Sequence, residues 1–224
     1  VAYTEKPEIG LFMKEWLSLY ESKSGERGIF NREAARKQIL RTDRRDPDHE
    51  WGSNPCLEIL LRPNQFCNLS TTVCRMEDDF ASLSWKTEMA TILGTFQSTL
   101  TNFKYLRNVW KRNTEEERLL GVSLTGIMGS TIRDFSGEAL SNLRAGVVAR
   151  NLKLATELGI PQSAATTCVK PEGTTSQLVY SPSGMHADFA PYYVRTVRQD
   201  NKDPMTEFMK DQNFPNEPCV TKPN

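Results

Sequence analysis

The chain has no excess of charge of either sign, with 28 lysines and arginines against 28 aspartates and glutamates over 224 residues. A general nucleic-acid binder carries a basic excess, so that class is not expected. No apolar run approaches the roughly 18 residues that a membrane helix needs. A signal-peptide pattern is also absent, since the N-terminus turns polar at Thr4. A soluble, cytoplasmic protein without membrane attachment is the expectation. Histidine is scarce, there is no C-x-x-C pair, and the two histidines stand far apart, so no metal site is expected. The five cysteines, an odd number at irregular spacing, do not form a secreted disulfide framework. Cys74, Cys168 and Cys219 read as reduced, packed thiols. Internal repeats and low-complexity tracts are missing, as are the P-loop and G-x-G-x-x-G spacings. The chain opens on Val1 and stops at Asn224 without a closing element, and so reads as a piece of something longer.

What is present centres on Ser53-Asn54-Pro55-Cys56-Leu57-Glu58-Ile59, with Cys67-Asn68-Leu69-Ser70 after it. Pro55 fixes its own φ and biases Asn54 towards an extended backbone, a means of stiffening a loop tip. On an extended segment, residues i and i+2 point to one side, so Asn54, Cys56 and Glu58 are expected to face the same space. An amide, a carboxylate and two thiols (Cys56 and Cys67) suit redox chemistry on a hydroxylated substrate. A second candidate is Pro171-Glu172-Gly173-Thr174-Thr175-Ser176, a small-residue turn whose N–H groups and hydroxyls serve equally as a plain capped turn or as an anion cradle.

Around these stretches, hydrophobic period predicts helices over Leu11–Tyr20, Asn31–Leu40 (Asn31 as cap), Met76–Phe103, Tyr105–Arg112, Ser136–Leu158 and Met205–Lys210, with another starting at Thr114. In the long helix Phe80, Leu83, Met89, Ile92, Leu93, Phe96 and Leu100 are expected on the buried side. Ser24–Gly28 breaks the first helix, and Arg41–Glu50, His49 included, reads as a solvated loop. Strands are expected at Cys56–Leu61, Phe66–Cys74, Leu119–Met128, Ala164–Val169 and Tyr192–Val197. Strands alternating with helices of this length indicate an α/β fold with a mostly parallel sheet or barrel. The length suits one domain, or one and a half.

Taken together and in this order, Asn-x-Cys-x-Glu, Cys-Asn-Leu-Ser-Thr and Pro-Glu-Gly-Thr-Thr-Ser resemble the catalytic half of ribonucleotide reductases. The likeness is strongest to the monomeric, adenosylcobalamin-dependent (class II) ribonucleoside-triphosphate reductases. Leu120–Met128, Ser181–Ala187 and Tyr192–Asp200 also look like that family, so the likeness covers nearly the whole chain. The resemblance implies part of a ten-stranded α/β barrel, with residues 1–50 as a helical lead-in and 51–224 as finger loop and C-terminal half-barrel. It implies Cys56 as the thiyl radical, Glu58 as base on the 3′-hydroxyl, and Asn54 as hydrogen-bonding partner of the sugar. Cys67 would be one of two reducing thiols, and Gly173, Thr174, Thr175 and Ser176 would hold the substrate phosphates. The implied cofactor is adenosylcobalamin. The implied partners are a ribonucleoside triphosphate, a thioredoxin-type dithiol and the N-terminal half of the same enzyme.

Two departures stand beside the resemblance. The thiol partner of Cys67 and the C-terminal relay cysteines have no match here, so the chain by itself is expected to be inactive. Phage-type reductases that draw the radical from a separate subunit share this region, and they remain an alternative. A catalytically silent nucleotide-binding α/β module, with Cys56 merely packed, is the reading from another class; a glycine-radical motif is absent.

Overall fold

The computed structural model describes residues 1–23, 28–41, 44–188 and 190–219. The chain divides into two compact units, Val1–Asp188 and Phe189–Asn224.

In the first unit, β1 (Ala2–Tyr3) pairs in parallel with β2 (Phe30–Asn31), and α1 (Ile9–Ser22) lies between them in sequence. Asn31 caps α2 (Arg32–Leu40) as expected, its side chain accepting from the Ala34 N–H. The break expected at Ser24–Gly28 falls mostly outside the described residues. Next come β3 (Gly52–Ser53) and β4 (Leu60–Leu61), an antiparallel pair closing a hairpin. Then follow β5 (Asn68–Val73), α3 (Phe80–Gln97), α4 (Asn108–Glu117) and β6 (Leu120–Thr125). Strands β5 and β6 run parallel in register from Asn68↔Leu120 to Val73↔Thr125, the helices supplying the crossover that parallel strands need. On the far side of β6, residues 164–168 run alongside: Leu120 N–H donates to Ala165 O, Val122 N–H to Thr166 O and Cys168 N–H to Val122 O. The strand expected at Ala164–Val169 is thus present as a ladder edge with one formal bridge, Val122↔Thr167.

One face of this sheet rests on α3 and α5 (Gly137–Leu158). Ala90, Val122 and Val147 form a core cluster there, and the Ser70 hydroxyl donates to Ala90 O. The α5 limits follow from local chemistry, with Ser136 capping the start and Gly159 in the left-handed conformation at the end. The short α6 (Thr175–Leu178) completes the unit.

Several expectations are corrected. Helix α3 is shorter than Met76–Phe103. It starts at a capping box between Asp79 and Ser82. It ends where the Ser98 and Thr99 hydroxyls take the carbonyls of Thr95 and Phe96. Its buried face is also not the expected one. Leu83 is buried, but its neighbours on that face are Thr87, Ala90, Thr91, Gly94 and Thr95, whereas Phe80, Leu93, Phe96 and Leu100 are exposed. Small residues win because the helix lies close to the sheet: a Cβ on Gly94 would stand 3.2 Å from Leu120 Cγ. Thr114–Glu117 closes α4 instead of starting a helix. Strand β6 ends at Thr125, where Gly126 turns the backbone at φ 81 into 3-10 turns. The charged run is not wholly solvated. Arg45 is buried, paired with Glu117 and stacked over the Trp51 ring, while His49 Nε2 lies 2.9 Å from Arg62 Nη1. Thr42 and Asp43 lie outside the described residues.

In the second unit Asp203 caps α7 (Pro204–Asp211), accepting from Met205 N–H. Tyr192–Val197 is exposed and forms no strand among the described residues, since alternation by itself does not make a ladder.

Candidate active site

The central stretch is a hairpin loop. β3 and β4 carry residues 54–59 between them, and both ends are tied: Asn54 N–H donates to Ile59 O at 3.3 Å, and Ile59 N–H donates to Asn54 Oδ1 at 3.1 Å. Inside, Leu57 N–H donates to Asn54 O at 3.1 Å, and Leu57 sits in the left-handed region at φ 65. The i, i+2 expectation needed an extended backbone, and this turn breaks it. Cys56 is carried to the exposed tip. Asn54 turns its oxygen inward to hold the loop. Glu58 returns towards the sheet and has one carboxylate oxygen, Oε2, buried without a hydrogen-bond partner.

Cys67 immediately precedes β5, on the same side of the strand as Leu69 and Thr71. That face lies opposite α3. Over it, a Cβ on Gly121 would stand 2.5 Å from Leu69 Cδ2, 2.9 Å from Cys168 Sγ and 3.3 Å from Ile59 Cδ1. The sheet, the returning loop and the 164–168 edge therefore meet where residue 121 has no side chain. Burial, then the Glu58 carboxylate, pushes the Cys67 thiol up. Burial first, then Glu58, Cys67 and Glu172, pushes Cys168 up to about 12. Both thiols are held protonated at neutral pH. Cys74, buried elsewhere, is likewise pushed up to about 12, by burial and then Asp78. Cys168, read from sequence as a packed thiol, thus shares a face with Glu58 and Cys67.

The downstream turn lies beyond the C-terminal end of the 164–168 edge. Gly173, Thr174 and Thr175 are exposed, whereas Ser176 is fully buried. The Ser176 hydroxyl lies 2.9 Å from that of Ser183. Glu172, 1 % exposed, accepts the Thr71 hydroxyl from mid-β5. Sequence reasoning assigned the small residues of this motif and passed over its carboxylate; a charged residue just before a glycine turn was the available signal.

A polar cavity of about 320 Å³ lies elsewhere, bordered by Arg44, Arg45, Arg62, Glu117 and Ser163. Its charges are largely paired internally, as in Arg45–Glu117 at 2.8 Å and Arg62–Glu116 at 2.9 Å. It lies at the N-terminal ends of the strands, and no cysteine lines it. Among the described residues no cluster of His, Cys, Asp and Glu is placed to hold a metal ion. No helix among them is long and apolar enough to cross a membrane.

Comparison with known proteins gives a consistent set of relatives. The adenosylcobalamin-dependent ribonucleoside-triphosphate reductase of Lacticaseibacillus paracasei is 28% identical over 91% of this chain and 31% of its own length. That of Lactobacillus acidophilus is 27% identical over 90% and 31%. The probable adenosylcobalamin-dependent ribonucleoside-triphosphate reductase of Dictyostelium discoideum is 33% identical over 66% of this chain and 19% of its own. A solved B12-dependent (class II) ribonucleotide reductase aligns with 60% of this chain and 22% of its own, at 22% identity and TM-score 0.48. No family model matches the chain. The chain spans less than a third of the length of the curated relatives it matches, and it shares the ribonucleotide reductase likeness read from its motifs.

Proposed function

We propose that this relative of the adenosylcobalamin-dependent ribonucleoside-triphosphate reductases forms the finger loop and C-terminal half-barrel of such an enzyme. Residues 51–224 make up that part and 1–50 its helical lead-in. The whole protein reduces ribonucleoside triphosphates to 2′-deoxyribonucleotides. The observation that carries the reading is Glu58, which has a buried, unpartnered carboxylate oxygen and lies near enough to the Cys67 thiol for its charge to raise that thiol. A buried acceptor without a donor is costly, and a substrate hydroxyl would satisfy it.

Each residue has a derivable part. Cys56, at the loop tip, becomes the thiyl radical and takes the 3′-hydrogen of the ribose. The cofactor named for the relatives, adenosylcobalamin, supplies that radical when bound, and an exposed tip thiol fits being reached from outside the loop. Glu58 accepts the 3′-hydroxyl proton, easing loss of the 2′-hydroxyl as water. Asn54 has its oxygen engaged by Ile59 N–H, so its amide NH₂ is the group left to donate to the sugar. Cys67, kept as a thiol by burial and by Glu58, gives hydrogen. With a second thiol from the N-terminal half, it is oxidised to a disulfide as the substrate gains two electrons and water departs. A thioredoxin-type dithiol then resets the pair by exchange. Gly173, Thr174 and Thr175 meet the phosphates, with Ser176 holding the turn from beneath through Ser183. The parallel β5–β6 pair with its crossover helices is compatible with a slice of an α/β barrel.

The test is anaerobic turnover by the full-length protein with a ribonucleoside triphosphate and a dithiol, with and without adenosylcobalamin. Deoxynucleotide formation that needs the cobalamin and is abolished in Cys56→Ser and Glu58→Gln is the expected result. Product formed by Cys56→Ser overturns the reading.

A further inference from the structure

The turn over residues 170–176 places its left-handed residue at Glu172, φ 51, although a glycine follows directly at 173. Glycine adopts that conformation without steric cost, whereas a glutamate there is strained. Gly173 does not use the freedom, and a Cβ on it would meet nothing within 4 Å. The chain thus has its glycine where neither backbone nor packing requires one, and a carboxylate where a glycine would relieve the backbone. An open glycine lets a ligand approach the backbone closely. The carboxylate needs a separate reason.

Its contacts supply one. The side chain is almost wholly buried, and a buried charge is retained only when it is paired and hydrogen-bonded. One oxygen accepts the Thr71 hydroxyl, a contact across 101 positions of sequence. The other lies 3.7 Å from Lys170 Nζ. The Glu172 carbonyl accepts Ser176 N–H at 3.2 Å, and Lys170 N–H donates to Ser123 Oγ at 2.9 Å. The turn is therefore fastened to both strands, β5 through Thr71 and β6 through Ser123. Thr71 stands on the strand whose head carries Cys67.

We infer that Glu172 is a positioning residue: its carboxylate pins the turn of Gly173 and Thr174 to β5 through Thr71 and keeps the Lys170 cation beside it, so that a polyphosphate group meets a preset site. The inference rests on the reading of this turn given under the proposed function. It adds that the phosphate site and the Cys67 thiol are spaced by a single strand, with Glu172 as the link.

The experiment is calorimetric titration of the full-length protein with a ribonucleoside triphosphate and, separately, with inorganic tripolyphosphate. The variants are Glu172→Gly, Thr71→Val and Thr71→Ser, each checked for folding by circular dichroism. Glu172→Gly and Thr71→Val weaken binding of both titrants about tenfold, the loss of one charge-assisted hydrogen bond. Thr71→Ser, which keeps the hydroxyl, binds as wild type. Should Thr71→Val fail to fold, Glu172→Gly decides, because it removes the carboxylate while easing the backbone. Wild-type affinity in Glu172→Gly, or weakening by Thr71→Ser equal to that by Thr71→Val, overturns the inference while leaving the proposed function standing. A wild-type protein that binds neither titrant removes the phosphate-site reading itself.

Discussion

Asn54 and Ile59 hold the loop between β3 and β4 from both ends, the side-chain oxygen of Asn54 accepting the Ile59 N–H at 3.1 Å and the Asn54 N–H donating to the Ile59 carbonyl. The amide that the motif places two residues before Cys56 is therefore also the clamp that shapes the tip. Asn54→Ala should lower stability by about 1 kcal/mol, the usual net value of such a bond. Asn54→Asp, which keeps the acceptor, should stay near wild type. Urea denaturation of the pair checks this, and equal losses would count against the clamp.

The cysteines should differ in reactivity. Alkylation by iodoacetamide at about pH 8 requires thiolate and access. Cys56, exposed at the tip, should label first. Cys67, half-buried and raised by burial and Glu58, should follow. Cys74 and Cys168, each pushed up to about 12, should label last. Peptide mass spectrometry over a time course reads the order, and labelling of Cys168 before Cys56 would contradict the geometry.

Gly121 sits where the loop, β5 and the 164–168 edge converge. Gly121→Ala would bring a Cβ to 2.5 Å from Leu69 Cδ2 and 2.9 Å from Cys168 Sγ. Overpacking of this kind costs about 1–3 kcal/mol. A lowered melting temperature is expected, with partial recovery when Leu69→Val is added. An unchanged melting temperature in the single variant would show that the face is looser than described.

Glu117 gives a pH prediction with a definite sign. Burial pushes its carboxyl up, but hydrogen bonds from Arg45 and Gln65 and the charges of Arg45 and Arg62 outweigh burial and hold it below the ordinary glutamate range. A group depressed in the folded state contributes stability that is present above its unfolded value and lost as pH falls through the folded one. Stability should therefore decline below about pH 4.3, and less steeply in Glu117→Gln. At neutral pH that variant should be less stable by about 3 kcal/mol, because it leaves Arg45 buried without its counter-charge. Denaturant midpoints measured across pH check both statements.

The amino-acid sequence by itself determined the elements whose limits are set within a few residues. Asn31 starts α2, Ser136 and Gly159 bound α5, and the Val/Thr-rich run after Cys67 is a strand, because capping and period-2 alternation are local chemistry. It also marked the two stretches from which the candidate site is built. Tertiary structure decided what depends on distant contacts. Leu57 takes a left-handed turn because the hairpin closes around it, so Asn54, Cys56 and Glu58 end in three different settings. Helix α3 buries threonines because the sheet approaches too closely for its aromatics. Arg45, in a run that reads as solvated, is buried because Glu117 and Trp51 meet it from far along the chain. Tyr192–Val197 alternates like a strand, yet it forms none among the described residues, because alternation alone does not build a ladder. Glu172 reaches Thr71 across a hundred residues, a contact that no spacing rule encodes and only the folded sheet brings about.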